Sequence, residues 1–415
     1  MKKTLAFILI AIILLLSFSS CDFGASSATD KKNPKPTNKE NTVQANLRPS
    51  KNNNKIKIGI ACPLGETSDT EGQSVKNAIE LAINEINSAG GLDGIKFEAL
   101  VLDSNNYLTE KALYEDLYKE GMQVFLGSSE LGSAITFSEM AEDDNLFVMT
   151  PIAVGNELDA FETTYQMSCS AFEQGSEAAK HFNENYVGKS IGIFYQSDAS
   201  RSSEMYEGFK AELDPYFSVV SAAYTKDDFI YESQVQLLKN CDVLFMPVEH
   251  DDAWIFMSQM KNVYNEVDTY VGCDSFEYLS GIESFDVTSI EQEIIYLSYF
   301  DLGAVDGPAS DFLTNYSSAY DEDLVPPRTL AASAYDCVYA VFDALKMAKF
   351  NGKEIRANMS PEDICIILEG VFDNGYFDFR GITGSCEGGE RSHISWEERK
   401  AQKSPLKYIF KTRAD

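Results

Sequence analysis

From residue 55 to residue 371 the sequence alternates stretches of two-residue and 3.6-residue apolar periodicity, and few folds tolerate that pattern. Lys55–Ile60 alternates apolar with other residues before a Pro/Gly-bearing turn and reads as a first strand. Val75, Ala78, Ile79, Ala82, Ile83 and Ile86 then share one face of a helix, which Ala89-Gly90-Gly91 should end. Strands follow at Phe97–Leu102, Gln123–Leu126 and Leu146–Thr150, with helices near Thr109–Glu120 and from about Gly132. After a break near 168–172 the alternation restarts. Strands are expected at Ser190–Tyr195, Phe217–Ala222, Asp242–Met246, Thr269–Val271 and Ile294–Phe300. Met205, Phe209 and Leu213 mark one intervening helix, and Leu330–Lys349 and Pro361–Val371 two later ones. Repeated βα units imply parallel sheets with helices on their faces, so the expected class is α/β with two doubly wound lobes.

The ends of the chain have other jobs. Lys2 and Lys3 precede an unbroken apolar run from Leu5 to Leu16, shorter than the roughly 20 residues a membrane-spanning helix needs. Charged start, apolar middle and small residues at the exit are the order of a secretory signal, here residues 1–20. Phe18-Ser19-Ser20-Cys21 resembles a bacterial lipobox, which would make Cys21 a lipidated N-terminus. An ordinary signal peptide with an incidental cysteine is the other reading. Residues 21–54 are rich in Ser, Asn, Lys, Pro and Thr and poor in large apolar side chains, and read as a disordered tether. As a random coil such a length spans about 30 Å.

The formal net charge of -31 is unevenly spread. Residues 1–20, 21–54 and 399–415 carry +2, +3 and +5, so residues 55–398 alone carry -41. A body this acidic repels a polyanion, which argues against a nucleic-acid partner. Lipidation of Cys21 would leave seven other cysteines, an odd number without any CxxC pair, which fits buried thiols better than a disulfide framework.

Catalytic motifs are scarce. His181, His250 and His393 form no close metal-ligand pair, and GxGxxG, GxxxxGK[ST] and GxSxG are absent. Ser258-Gln259-Met260-Lys261 matches SxxK without its companion motifs. Neither catalysis nor a cofactor or metal is expected. The βα junctions carry more information, because doubly wound sheets bind ligands at the C-terminal ends of their strands. Four junctions qualify: Pro63 to Gly72, Gly127 to Ser133, Thr150 to Val154, and Gly272 to Ser275. Their free N–H groups can hold a carboxylate, although the Ser and Thr side chains there equally serve as helix caps.

The stretches Ile56–Glu71-Gly72, Ala82–Gly94, Leu126-Gly127, Thr150-Pro151, Ala334–Tyr339 and Phe379–Gly384 together resemble the solute-binding proteins of ABC importers. The resemblance is to the periplasmic-binding-protein type I fold, branched-chain amino-acid group, over about 55–390. It implies lobe one at 55–169 plus 303–377 and lobe two at 170–300 plus 385–415. Three hinge crossings would lie near 168–172, 300–303 and 377–384. The family's amino-acid clamp transfers incompletely. Its Ser-Gly becomes Leu131-Gly132, with Ser128 and Ser129 nearby, and its Ala-Thr becomes Ala153-Val154 after Ile152. Asp274 matches the acid that pairs with the ligand's ammonium. Ser200 and Arg201 fall at an aromatic lid position, and Glu249 at a second aromatic. Together with Glu71 these are the expected ligand-binding residues.

The function implied is binding without chemistry. A lipid-anchored extracytoplasmic protein would capture a small polar ligand, an amino acid or related compound, by lobe closure and deliver it to an ABC permease. The alternative is a lipoprotein of the same fold that signals to a membrane partner. The carboxylates placed near the cleft suggest a ligand bearing an ammonium or several hydrogen-bond donors.

Overall fold

The first strand, β1 (Lys55–Cys62), shows how the pattern becomes structure: Ile56, Ile58 and Ile60 are fully buried, while Lys55 and Lys57 are only partly so. The structure is a computed structural model. It describes residues 54–65, 70–127, 130–282, 286–321, 325–374, 377–387 and 407–408. All of them fall in one unit, Ser50–Asp415. The expected signal segment, Cys21 and the tether up to residue 53 lie outside the described residues.

After β1 come α1 (Thr70–Ser88), β2 (Lys96–Asp103), α2 (Glu110–Lys119), β3 (Val124–Leu126), α3 (Leu131–Asp143), β4 (Phe147–Thr150) and β5 (Thr164–Gln166). The five strands form one wholly parallel sheet in the order β2-β1-β3-β4-β5. Helix α1 ends as its glycines suggest: Gly90 and Gly91 adopt φ of 114° and 71°, and Gly91 N–H donates to the Ile86 carbonyl at 2.8 Å.

The chain then enters a second run: α4 (Ala171–Asn185), β6 (Ser190–Gln196), α5 (Ser200–Glu212), β7 (Ser218–Tyr224), α6 (Glu232–Leu238), β8 (Val243–Met246), α7 (His250–Met260), β9 (Thr269–Gly272) and β10 (Glu293–Ser298). These strands build a second sheet, β10-β9-β8-β6-β7, again parallel throughout. The chain next returns to the first sheet as α8 (Gly307–Ala319), α9 (Thr329–Phe350) and α10 (Pro361–Phe372). A hairpin, β11 (Asp378–Gly381) and β12 (Gly384–Glu387), still lies against the first core through Phe377, Phe379 and Ile382. The second sheet is rejoined at β13 (Lys407–Tyr408), antiparallel to β10.

Each sheet is covered on both faces. Ile58, Phe97, Ala82, Val341 and Leu368 belong to the core under α1, α9 and α10, and Tyr114, Phe125 and Phe137 to the opposite one. In the second half Phe194, Tyr231 and Phe256 fill one side, Phe182, Phe209 and Phe245 the other. The α4–α5 pair crosses so closely that glycine is required twice. A Cβ on Gly175 would sit 1.9 Å from the Met205 carbonyl oxygen, and one on Gly208 1.9 Å from that of Phe172. The architecture is the expected α/β class, two parallel sheets flanked by helices. Six cysteines, Cys62, Cys169, Cys241, Cys273, Cys337 and Cys365, are buried.

Candidate functional site

The strands of both sheets deliver their C-terminal ends to one cleft, which encloses about 210 Å³. From the first half come Glu71 at the start of α1, Ile152 and Val154 after β4, and Thr329 and Leu330 at the start of α9. From the second come Gln174 on α4, Arg201 on α5, Glu249 and His250 at the start of α7, and Asp274, Ser275, Glu277 and Tyr278 after β9. Ser168 and Tyr299 lie where the chain passes between the halves. A second cavity of about 320 Å³, lined by Tyr107, Leu108, Glu110, Glu130 and Phe137 among others, draws its walls from the first half alone.

Charge is concentrated on the wall after β9. Arg201 forms an ion pair with Asp274 and a second with Glu249, the latter at 3.2 Å. The Asp274 side chain is 17% exposed, that of Arg201 36% and that of Glu249 59%. Asp274, Glu249 and the Cys273 sulfur together hold the guanidinium pKa above its ordinary value although burial opposes this. Ser275 steadies the arrangement: its hydroxyl donates to Glu249 Oε2 at 2.8 Å and accepts from the His250 backbone N–H at 2.9 Å.

Glu277 occupies a different environment. Its buried carboxylate accepts from Thr329 Oγ1 at 2.9 Å, so a residue of the second half meets the first turn of α9. Burial pushes its pKa from 4.5 to about 7, against the lowering influence of Arg328 and of the Thr329 bonds. Arg328 lies 4.0 Å over the Tyr278 ring, which stacks on His250 at 5.2 Å. The Tyr278 hydroxyl is buried and faces the Glu71 carboxylate. Burial first, then the Glu277 and Glu71 carboxylates, push its pKa well above the ordinary value. Ser168 Oγ donates to the Pro151 carbonyl at 2.6 Å and lies 3.1 Å from the Tyr299 hydroxyl, tying the floor of the cleft together.

Of the residues expected from sequence, Glu71, Ile152, Val154, Arg201, Glu249 and Asp274 converge on this cleft. Four others do not line it. Leu131 and Ala153 pack together with Ala134 and Leu158, a Cβ on Gly132 would meet nothing within 4 Å, and exposed Ser200 donates to Glu204 at 2.7 Å. Ser128 and Ser129 lie outside the described residues. Sequence reasoning missed Glu277, Tyr278, His250, Gln174, Ser168, Tyr299, Thr329 and Leu330. The available signals were proximity to the Gly272–Ser275 junction for Glu277 and Tyr278, and to Glu249 for His250.

Two parallel-sheet halves share one polar cleft, the arrangement of a bilobal α/β fold. Residues 55–363 match the pattern of the periplasmic binding protein family, and the chain belongs to that family. The Leu/Ile/Val-binding protein BraC3 of Rhizobium johnstonii is 24% identical over 299 residues, 70% of this chain and 78% of that one. The branched-chain amino acid transporter substrate binding protein LivJ from Streptococcus pneumoniae, in complex with isoleucine, has a TM-score of 0.65 at 20% identity, covering 81% of this chain and 93% of that one. An ABC transporter solute-binding protein from R. palustris, in complex with benzoate, has a TM-score of 0.62 at 13% identity, covering 86% and 96%. At such identities the structural likeness is one of fold.

Proposed function

We propose that this protein is the extracytoplasmic solute-binding component of an ABC importer, anchored through lipid on Cys21 and capturing a small polar ligand, an amino acid or related compound. The observation that carries this reading is the cleft itself, whose polar groups come from both halves, with Glu71 and Thr329 on one side and Arg201, Asp274 and Tyr278 on the other. A ligand touching both walls favours the state in which they are close, which is what closure about a hinge requires. Hinge passages near 168–172, 300–303 and 377–384 belong to this proposal. The closed form would be what the permease reads, and the protein performs no chemistry on its cargo.

The relatives support an amino acid in part. BraC3 is named for leucine, isoleucine and valine, and LivJ holds isoleucine, while the R. palustris protein of the same fold holds benzoate. The test is a thermal-shift screen of the purified protein against amino acids, amines, nucleosides, aromatic acids and short peptides. A ligand at about 100 times its dissociation constant adds about 2.7 kcal/mol of stability. Val154→Trp, which fills the cleft, should abolish the shift. A shift that survives this substitution places the ligand elsewhere and defeats the reading.

A further inference from the structure

Inside the cleft the carboxylates are not equally available. Asp274 and Glu249 both hold the Arg201 guanidinium, through different nitrogens. Glu249 has a further donor in Ser275, and Glu277 is taken by Thr329. Among the lining carboxylates Glu71 remains, set against the Tyr278 hydroxyl, whose pKa it raises. Arg201 is thus a cation already seated where two carboxylates would otherwise attract one from solution. Arginine suits that role, because its planar fork serves two acceptors at once and stays charged at any physiological pH.

We propose that Arg201 determines the specificity of this cleft, acting as a resident cation that closes the Asp274–Glu249 subsite to a ligand's ammonium group and leaves Glu71 and the Tyr278 hydroxyl to receive the ligand's own cationic end. This rests on the solute-binding reading above. The ligand class it selects carries an amine or guanidinium and needs no carboxylate. A ligand carboxylate approaching Arg201 would meet a guanidinium already bound by two acids, with Glu71 and Glu277 also lining the cleft. A zwitterionic α-amino acid would lose its ammonium site to Arg201 and gain no free cation in return.

The proposal is tested by titration calorimetry of the intact protein and of Arg201→Gln, Arg201→Lys and Glu71→Gln, each checked for an unchanged circular dichroism spectrum. The probes are 1,4-diaminobutane, agmatine, L-leucine and benzoate. Wild type should bind agmatine or 1,4-diaminobutane and ignore L-leucine and benzoate. Glu71→Gln should weaken that binding by about tenfold or more, the scale of one charge-assisted hydrogen bond. Arg201→Gln should bind the same cations more tightly and acquire affinity for L-leucine, because Asp274 and Glu249 become free. Arg201→Lys, which keeps the charge, should still refuse L-leucine, and if Arg201→Gln does not fold, Arg201→Ala takes its place with the same expected gain of L-leucine binding.

Binding of L-leucine by wild type that is lost in Arg201→Gln would make Arg201 a direct contact for a ligand carboxylate and overturn the proposal. Identical responses of wild type and Arg201→Gln to all four probes, including no response, would overturn it too. A ligand found by the broad screen and blocked by Val154→Trp would then leave the solute-binding reading standing. Failure of the Val154→Trp block would instead remove the cleft reading on which both depend.

Discussion

The wall supplied by the first sheet and its helices is mostly shape: Ile152, Val154 and Leu330, the Thr329 hydroxyl, and Glu71 as the carboxylate among its lining residues. The wall supplied by the second carries Arg201, Glu249, His250, Asp274, Glu277 and Tyr278. The two halves have the same βα logic and comparable cores, so the difference lies in the segments after the strands. The 274–281 turn after β9 alone supplies Asp274, Ser275, Glu277 and Tyr278. An apolar wall discriminates weakly between ligands of similar size, whereas charged groups that demand partners discriminate strongly. Exclusion by charge through Arg201 is therefore expected to reside in the second half, and selection by size, with Glu71 to receive a cationic end, in the first.

The largest expected effect tests whether carboxylates of the first half belong to its frame. Asp336, in the middle of α9, is 1% exposed and accepts from the backbone N–H groups of Ile382 and Thr383 at 2.9 and 2.8 Å and from the Thr383 hydroxyl at 2.5 Å. Asp336→Ala strands these buried donors and should cost about 4 kcal/mol in denaturant unfolding. Ligand affinity of the fraction that remains folded should be unchanged. A cost below about 1 kcal/mol would mean the hairpin is not held by this residue.

Next in size is Glu277, a buried carboxylate on the other wall. Its pKa is raised from 4.5 to about 7, so the folded chain binds its proton more tightly than the unfolded chain does. The stability this confers is fully present below about pH 4.5 and is lost as pH rises through 7. Arg328 opposes the shift and Asp274 adds to it. Glu277→Gln cannot titrate, so between pH 4.5 and 8 the wild type should lose about 3 kcal/mol relative to it, as read from paired unfolding curves. Equal pH dependence of the two proteins would show that Glu277 is better hydrated than its surroundings suggest.

A smaller effect compares backbone packing. Gly175→Ala drives a Cβ into the Met205 carbonyl and should cost about 2 kcal/mol by parting α4 from α5, the helix whose first turn carries Arg201. Gly132→Ala, in the first turn of α3, meets open space and should be neutral or slightly stabilising. Thermal melts of both variants check the contrast between a close helix crossing and an open first turn.

How far these features were legible in the sequence follows from their physics. The strands that fill both sheets announce themselves because each must be apolar on its buried faces, as Ile56, Ile58 and Ile60 are. Strand β5 was not legible: Thr164-Tyr165-Gln166 is three residues long and two of them are polar, yet all three are buried. Helix α8 escaped because Gly307-Pro308 reads as a turn and only Phe312 and Tyr316 are buried on it. The start of α4 was available in principle, since Ser170 and Glu173 form a capping box of recognisable spacing. The expected strand Ile294–Phe300 ran two residues too far, because Tyr299 and Phe300 are apolar for another reason, as packing at the passage between the halves. In the site, Asp274 and Arg201 could be placed by alignment, but their mutual pairing could not, because 73 residues separate them and only the topology brings them together.

The smallest effect probes the seam where the two walls meet. Thr329 opens α9 and its hydroxyl donates to Glu277 at 2.9 Å, while the Ser298 hydroxyl lies 2.9 Å from the same oxygen. Thr329→Val keeps the shape and removes the hydroxyl. A hydrogen bond to an ionised acceptor is worth more than one to a neutral acid, so the substitution should cost about 1.5 kcal/mol at pH 8 and about half that at pH 5. Losing a donor that favours the ionised form should also move the Glu277 transition further upward from 7. If the cost is the same at both pH values, Glu277 does not change charge in the folded protein. The two walls would then differ in composition but not in their response to protons.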